Sequence, residues 1–162
     1  AVHAPEVLLL AAGGIADGRG LAASLMLGAE GVLIGSRLWA SAEAQVSEAM
    51  TDAAIAATGD QTIRSTVMDA ARDLRWPARY TARVLRNAVT ERWHDDPDGL
   101  RKDLPARADW ATGWAAGDPD RANTFVGEAT GLIHDRPPVA DIIARIMDEA
   151  EALLRRAPGW AG

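Results

Sequence analysis

The fold of this chain turns on one stretch, "AAGGIADGRG" (Ala11 to Gly20), which follows the apolar run Val7-Leu8-Leu9-Leu10 and precedes "LAASLMLGAEGVLIGSRL" (Leu21 to Leu38). Val7 to Ala12 is continuously apolar between Pro5 and Gly13-Gly14. That is the pattern of a short strand buried on both faces of a parallel sheet. Leu21 to Leu27 follows with good helix formers and stops at Gly28, a natural C-terminal cap. Gly31 to Gly35 reads as a second short strand, and Ser36 can cap a short helix through Trp39 and Ala40. The order strand, glycine loop, helix, strand, Gly-Ser, helix is a βαβα unit, so its two strands run parallel.

Glycines at such a turn suit a backbone that takes positive φ or lets a ligand come close, because a Cβ would be in the way. Where the loop also opens a helix, free N–H groups and the helix dipole can hold an anion without a charged side chain. Gly13-Gly14 and Gly35-Ser36 therefore read as two anion corners on neighbouring strands. Loops after the last two strands of a (β/α)8 barrel commonly form such a phosphate site. Gly18 to Ala23 fits only the loose Gly-x-Gly-x-x-Ala form and begins well past the strand, and no Gly-Lys-Ser/Thr loop is present. The expected ligand is a mononucleotide or sugar phosphate; tight turns with a helix cap are the plainer alternative.

Beyond Ser41 the composition becomes Ala-rich and helical. Helices are expected over Ala42 to Thr58, Ala78 to Trp93 and Ala106 to Ala116, with Gln61 to Val67 extended and Asp95 to Gly99 a solvated loop. After Pro137-Pro138 an amphipathic helix should place Val139, Ile142, Ile143, Ile146, Met147, Ala150, Leu153 and Leu154 on one side. Two strands cannot close a barrel. The expectation is a closing βαβα portion at 1–60 followed by a mainly helical cap at 61–162. The chain opens on Ala1-Val2-His3 without an initiator Met and reaches a buried-type strand at once, which reads as a piece of something longer.

The 162 residues carry a formal charge of -6 and no cysteine. The acid balance argues against a nucleic-acid partner, which needs clustered Lys and Arg. Absence of cysteine removes disulfides, thiolate metal sites and cysteine nucleophiles, and is compatible with a cytoplasmic location. The run Val7 to Ala12 is too short to span a membrane. His3, His94 and His134 are far apart with no metal-ligand spacing, and Asp95, Asp96 and Asp98 lack the terminal Glu of a calcium loop, so no metal is expected. The six Trp against one Phe and one Tyr include Trp110 and Trp114, four apart on one helix face, for core packing or for walling a ligand cavity.

The run Leu8 to Leu38 resembles the closing strands of the flavin-dependent nitronate monooxygenases, and "FVGEATGLIHDRPPVADIIARIMDEAEALL" (Phe125 to Leu154) is similar to that family's C-terminal segment. A close version of the glycine run occurs in flavin-containing enoyl-acyl carrier protein reductases, and a looser one in inosine monophosphate dehydrogenase. The resemblance implies an α/β fold: the last two strands of an FMN-binding TIM barrel, with a mainly helical C-terminal region. It implies that Gly13 and Gly14 offer backbone N–H groups to the FMN phosphate from the seventh strand's loop. Gly35 and Ser36 would do so from the eighth, with the Ser36 hydroxyl as a further donor. Arg37 could add charge nearby or form an ion pair, and His134 falls in the matching segment.

The family's Glu-Ala-Gly-Gly-His stretch, which supplies its catalytic base, has no counterpart in this sequence, so no catalytic residue is assigned. Implied partners are a nitronate, O2 and the N-terminal half of the barrel, with a homo-oligomer left open. The alternatives are an enoyl-thioester reductase using FMN and a nicotinamide, or a non-catalytic barrel fragment whose sheet edge pairs with another polypeptide.

Overall fold

The computed structural model describes residues 7–77 and 79–156. His3, Pro5 and Ala78, which figured in the sequence reading, lie outside them. The described residues form a mixed α/β structure in two compact units: one joins the residues up to Ala44 with those from Leu132 onward, the other is Gln45–Gly131. The boundary expected after residue 60 falls inside the second unit.

In the first unit, β1 (Leu10–Ala12) pairs parallel to β2 (Gly31–Leu33), with Leu10 opposite Gly31 and Ala12 opposite Leu33. Between them runs α1 (Gly18–Met26), and α2 (Ser36–Trp39) follows β2. The expected βαβα unit is therefore present. The strand is shorter than the apolar run, however: Val7, Leu8 and Leu9 lie outside the ladder and are exposed, and Leu10 itself is 48% exposed. Among the described residues β1 pairs with β2 alone, which leaves Leu10 half exposed.

The last helix of the chain packs against α1 and α2 of this unit. Its Ile142, Ile146 and Ala150 recur every four residues and bury with Leu21 and Ala22 of α1, while Val32, Leu38 and Leu153 flank them. Each isoleucine buried this way contributes roughly 1.5–3 kcal/mol. Ile143 and Met147 are half exposed, which corrects the single apolar side expected. The stripe is only as wide as α1 can cover.

The second unit corrects several local expectations. Only Glu48–Ala56 (α3) of the Ala-rich stretch is helical, because Ser47 starts it as an N-cap that accepts from the Met50 N–H at 3.1 Å. Thr62–Ser65 (β3) is extended as expected and is followed by α4 (Val67–Ala71). The helix expected at Ala78 to Trp93 is instead β4 (Ala82–Leu85), antiparallel to β3 with Thr62 opposite Leu85, and then α5 (Ala88–Trp93). Pairing with β3 overrides the helical spacing, and Asn87 restarts the helix by accepting from the Thr90 N–H at 3.1 Å. A second, antiparallel two-stranded sheet therefore stands in the region expected to be mainly helical.

The expected Asp95 to Gly99 loop opens α6 (Pro97–Lys102). Pro97 sits in its first turn, and the Asp96 carboxylate caps the Gly99 N–H at 2.8 Å. α7 (Leu104–Ala116) extends the expected helix by two residues and ends at Gly117. α4 packs against α5, α6 and α7, with Val67, Met68 and Leu100 buried. A 3-10 turn over Glu128–Leu132 precedes α8 (Val139–Arg156), the C-terminal helix described above.

Candidate functional site

Because β1 and β2 are parallel and in register, the residues that follow them leave the same end of the sheet. Gly13-Gly14 leave β1 there, and Gly35-Ser36 leave β2 beside them. Gly13 has φ +92° and Gly14 φ +76°, the left-handed region that side chains disfavour. A Cβ built on Gly13, Gly14 or Gly35 would meet nothing within 4 Å. The three glycines thus border open space rather than packed protein. Ser36 is the first residue of α2, with Gly35 as its N-cap.

The amino end of α1 is different from what the sequence suggested. Asp17 caps it, accepting from the Gly20 N–H at 3.1 Å, and the Gly18 N–H donates to Glu149 Oε2 of α8 at 2.8 Å. Two carboxylates already occupy that helix end, so any anion at this loop would rely on the Gly13-Gly14 backbone. Burial alone would raise the Asp17 pKa, but the Arg19 side chain and the Gly20 N–H outweigh it and hold the carboxyl below its ordinary value.

Arg37, next to Ser36, has a side chain only 4% exposed. It donates to the carbonyls of Ala40 at 3.2 Å and Asp135 at 3.0 Å, and pairs with Asp135 Oδ1 at 3.1 Å. Its Nε is buried without a hydrogen-bond partner. Burial lowers the Arg37 pKa, and Asp135 opposes that shift. Asp135 also accepts from Arg145 of α8, Nη1 to Oδ2 at 2.7 Å and Nη2 to Oδ1 at 3.2 Å. The Arg145 hydrogen bond is the main reason the Asp135 carboxyl lies below its ordinary value, so this link stays ionised through neutral pH and weakens only as acid protonates it. The ion pair expected as one option for Arg37 is therefore present inside the first unit. Asp135, Arg145 and Glu149 carry no mark in the sequence: Arg145 and Glu149 lie on a periodic, charged helix, and Asp135 lies in the segment before it.

A concavity of about 240 Å³ lies beside these groups, lined among others by Asp17, Arg37, His134, Arg145 and Glu149. His134 is exposed at its rim. His94 lies in the second unit, with Nδ1 3.1 Å from the Ser65 hydroxyl. Among the described residues, no group of three His, Asp or Glu is placed to hold a metal ion. No helix among them is long and apolar enough to cross a membrane. Trp110 is buried, donates from Nε1 to Asn123 Oδ1 at 2.9 Å, and stacks on Trp114 with centroids 5.5 Å apart. Trp110 and Trp93 also line a concavity of about 400 Å³ within the second unit.

The family model that matches the chain, over residues 1–149, is that of nitronate monooxygenase. A nitronate monooxygenase, npaC, of Metarhizium robertsii is 38% identical over 90% of the chain, and a nitronate monooxygenase of Neurospora crassa is 34% identical over 96%. The chain spans only 42% and 41% of those two proteins. Among solved structures, FabK from Thermotoga maritima superposes with a TM-score of 0.76 at 30% identity, over 98% of this chain and 49% of that one. A nitroalkane oxidase from Streptomyces ansochromogenes reaches a TM-score of 0.75 over 96% of this chain and 42% of that one, at 20% identity, a likeness of fold alone.

Proposed function

Because the chain belongs to the nitronate monooxygenase family, we propose that it is the phosphate-binding C-terminal part of an FMN-dependent enzyme that oxidises alkyl nitronates with O2. The observation that carries this reading is the pair of glycine corners at the same end of two parallel strands. Gly13 and Gly14 would offer backbone N–H groups to the phosphate, and Gly35 and Ser36 would close it from the neighbouring loop. The fit is supported at Gly35, where φ is -101° and no protein atom crowds the missing Cβ. A ligand drawn close to the backbone is a reason for glycine there that packing does not provide.

FMN, when bound, supplies the electron acceptor for the nitronate and the reductant for O2. This chain's own part is to anchor the phosphate and so fix the position of the flavin. The base that handles the substrate proton is assigned to the portion of the family's length that the chain does not span. Val7, Leu8, Leu10 and Leu33 expose their apolar side chains, which fits a TIM barrel whose remaining strands would cover them. The 162-residue chain on its own is accordingly expected to self-associate. Light scattering after size exclusion checks this, and a monodisperse monomer would contradict it.

The functional test is oxygen uptake by the flavin-loaded full-length protein. Consumption of O2 with an alkyl nitronate and without a nicotinamide is the expected result; its absence with every nitronate tried would sink the reading. The glycine run also resembles that of the flavin-containing enoyl-thioester reductases, and for that reading the diagnostic outcome is NAD(P)H-dependent reduction of a crotonyl thioester.

A further inference from the structure

Both glycine corners are tied to distant residues at or just before α8, across 131 positions in one case and 98 in the other. The first tie is Glu149, whose carboxylate accepts from the Gly18 N–H at 2.8 Å and so anchors the start of α1, four residues beyond Gly14. The second is Asp135, which holds the buried Arg37 guanidinium immediately after Ser36 and is itself held by Arg145 of α8. Arg37 reaches past its own short helix to the Asp135 carbonyl at 3.0 Å, so both the backbone and the carboxylate of that residue fix it. Neither link is a free surface ion pair: one ends on a helix N–H, the other on a side chain 4% exposed. Hydrogen bonds to charged groups in such settings are directional and resist displacement.

We propose that Glu149 and Asp135 are positioning residues for the phosphate site, Glu149 setting the Gly13-Gly14 corner through α1 and Asp135 setting the Gly35-Ser36 corner through Arg37. The C-terminal helix thereby fixes the separation of the two loops that the phosphate must bridge. This inference rests on the FMN reading above. It carries a signature opposite to simple electrostatics. Both residues are anionic and stand near a site for an anion, so their removal would tighten FMN binding if charge alone mattered. Positioning requires that removal weaken it.

The experiment compares FMN with riboflavin on the full-length protein, using flavin fluorescence and thermal unfolding. Riboflavin lacks the phosphate, so the FMN/riboflavin affinity ratio isolates the corners from the rest of the flavin site. Glu149→Ala and Asp135→Ala are each expected to lower that ratio roughly tenfold or more, the scale of losing one charged hydrogen bond. Glu149→Gln keeps an acceptor for the Gly18 N–H and is expected to restore most of it. Glu149→Asp, which withdraws the carboxylate by one methylene, is expected to fall between and serves if the alanine variant does not fold. An unchanged or raised ratio in these variants, with a wild type that prefers FMN, overturns the positioning role alone. A wild type that binds riboflavin as tightly as FMN overturns the phosphate reading and the inference with it.

Discussion

Gly14→Asp in the full-length protein is expected to lose FMN binding by at least about 100-fold, while Gly14→Ala loses much less. The two variants share one cost. Gly14 has φ +76°, and an L side chain there costs about 1–2 kcal/mol of backbone strain. Space is not the obstacle, because a Cβ at this position meets nothing within 4 Å. What separates the variants is the carboxylate, which Gly14→Asp aims into the open space that the phosphate would fill. Like charges forced together cost several kcal/mol, and every 1.4 kcal/mol is tenfold in affinity. Isothermal titration or flavin fluorescence gives the two constants, and thermal unfolding of the flavin-free variants gives their shared backbone cost. Equal affinity for FMN in the alanine and aspartate variants would mean that no phosphate approaches Gly14, and the assignment of this corner would fall.

Those corners could be read from sequence because their cause is local. An apolar run ending in Gly13-Gly14, then a helix, then Gly31 to Gly35, fixes two parallel strands by chain connectivity alone, and positive φ at Gly13 and Gly14 follows from the turn. The second unit resisted the same treatment. Residues 82–85 carry spacing that suits a helix face, and only the partner strand Thr62–Ser65, about twenty residues upstream, makes them β4. Asp96-Pro97 is a helix start with a local cause, since capping needs only the next three residues, although the acidic cluster before Gly99 also has the composition of a solvated turn. Long-range partners were the least visible of all. Arg37 is buried because Asp135, 98 residues later, receives it, and no periodicity in either segment points to the other.

The same dependence on a distant partner makes Gly18 a position where a single methyl should damage the fold. Glycine at the first position of a nine-residue helix looks like a propensity defect, worth about 1 kcal/mol against alanine, so local reasoning expects Gly18→Ala to stabilise α1. Packing reverses the sign. A Cβ at Gly18 would lie 2.5 Å from the Ala150 backbone nitrogen, 2.7 Å from the Ile146 carbonyl oxygen and 2.6 Å from Glu149 Cβ. Two of these atoms belong to the α8 backbone and cannot rotate aside, so α1 and α8 would have to separate. Separation loosens the burial of Leu21, Ala22, Ile142, Ile146 and Ala150, and lengthens the Gly18 to Glu149 hydrogen bond. Overpacking of this kind costs about 1–3 kcal/mol, and the upper end is expected because backbone rather than a flexible side chain is in the way. Urea unfolding of the full-length protein measures it, with Gly20→Ala as the comparison. There the nearest atom is the Ile15 side-chain methyl at 3.1 Å, which has somewhere to go. A Gly18→Ala variant as stable as wild type would show that α1 and α8 are not held at this distance, and the tie from Glu149 to the first corner would lose its geometric basis.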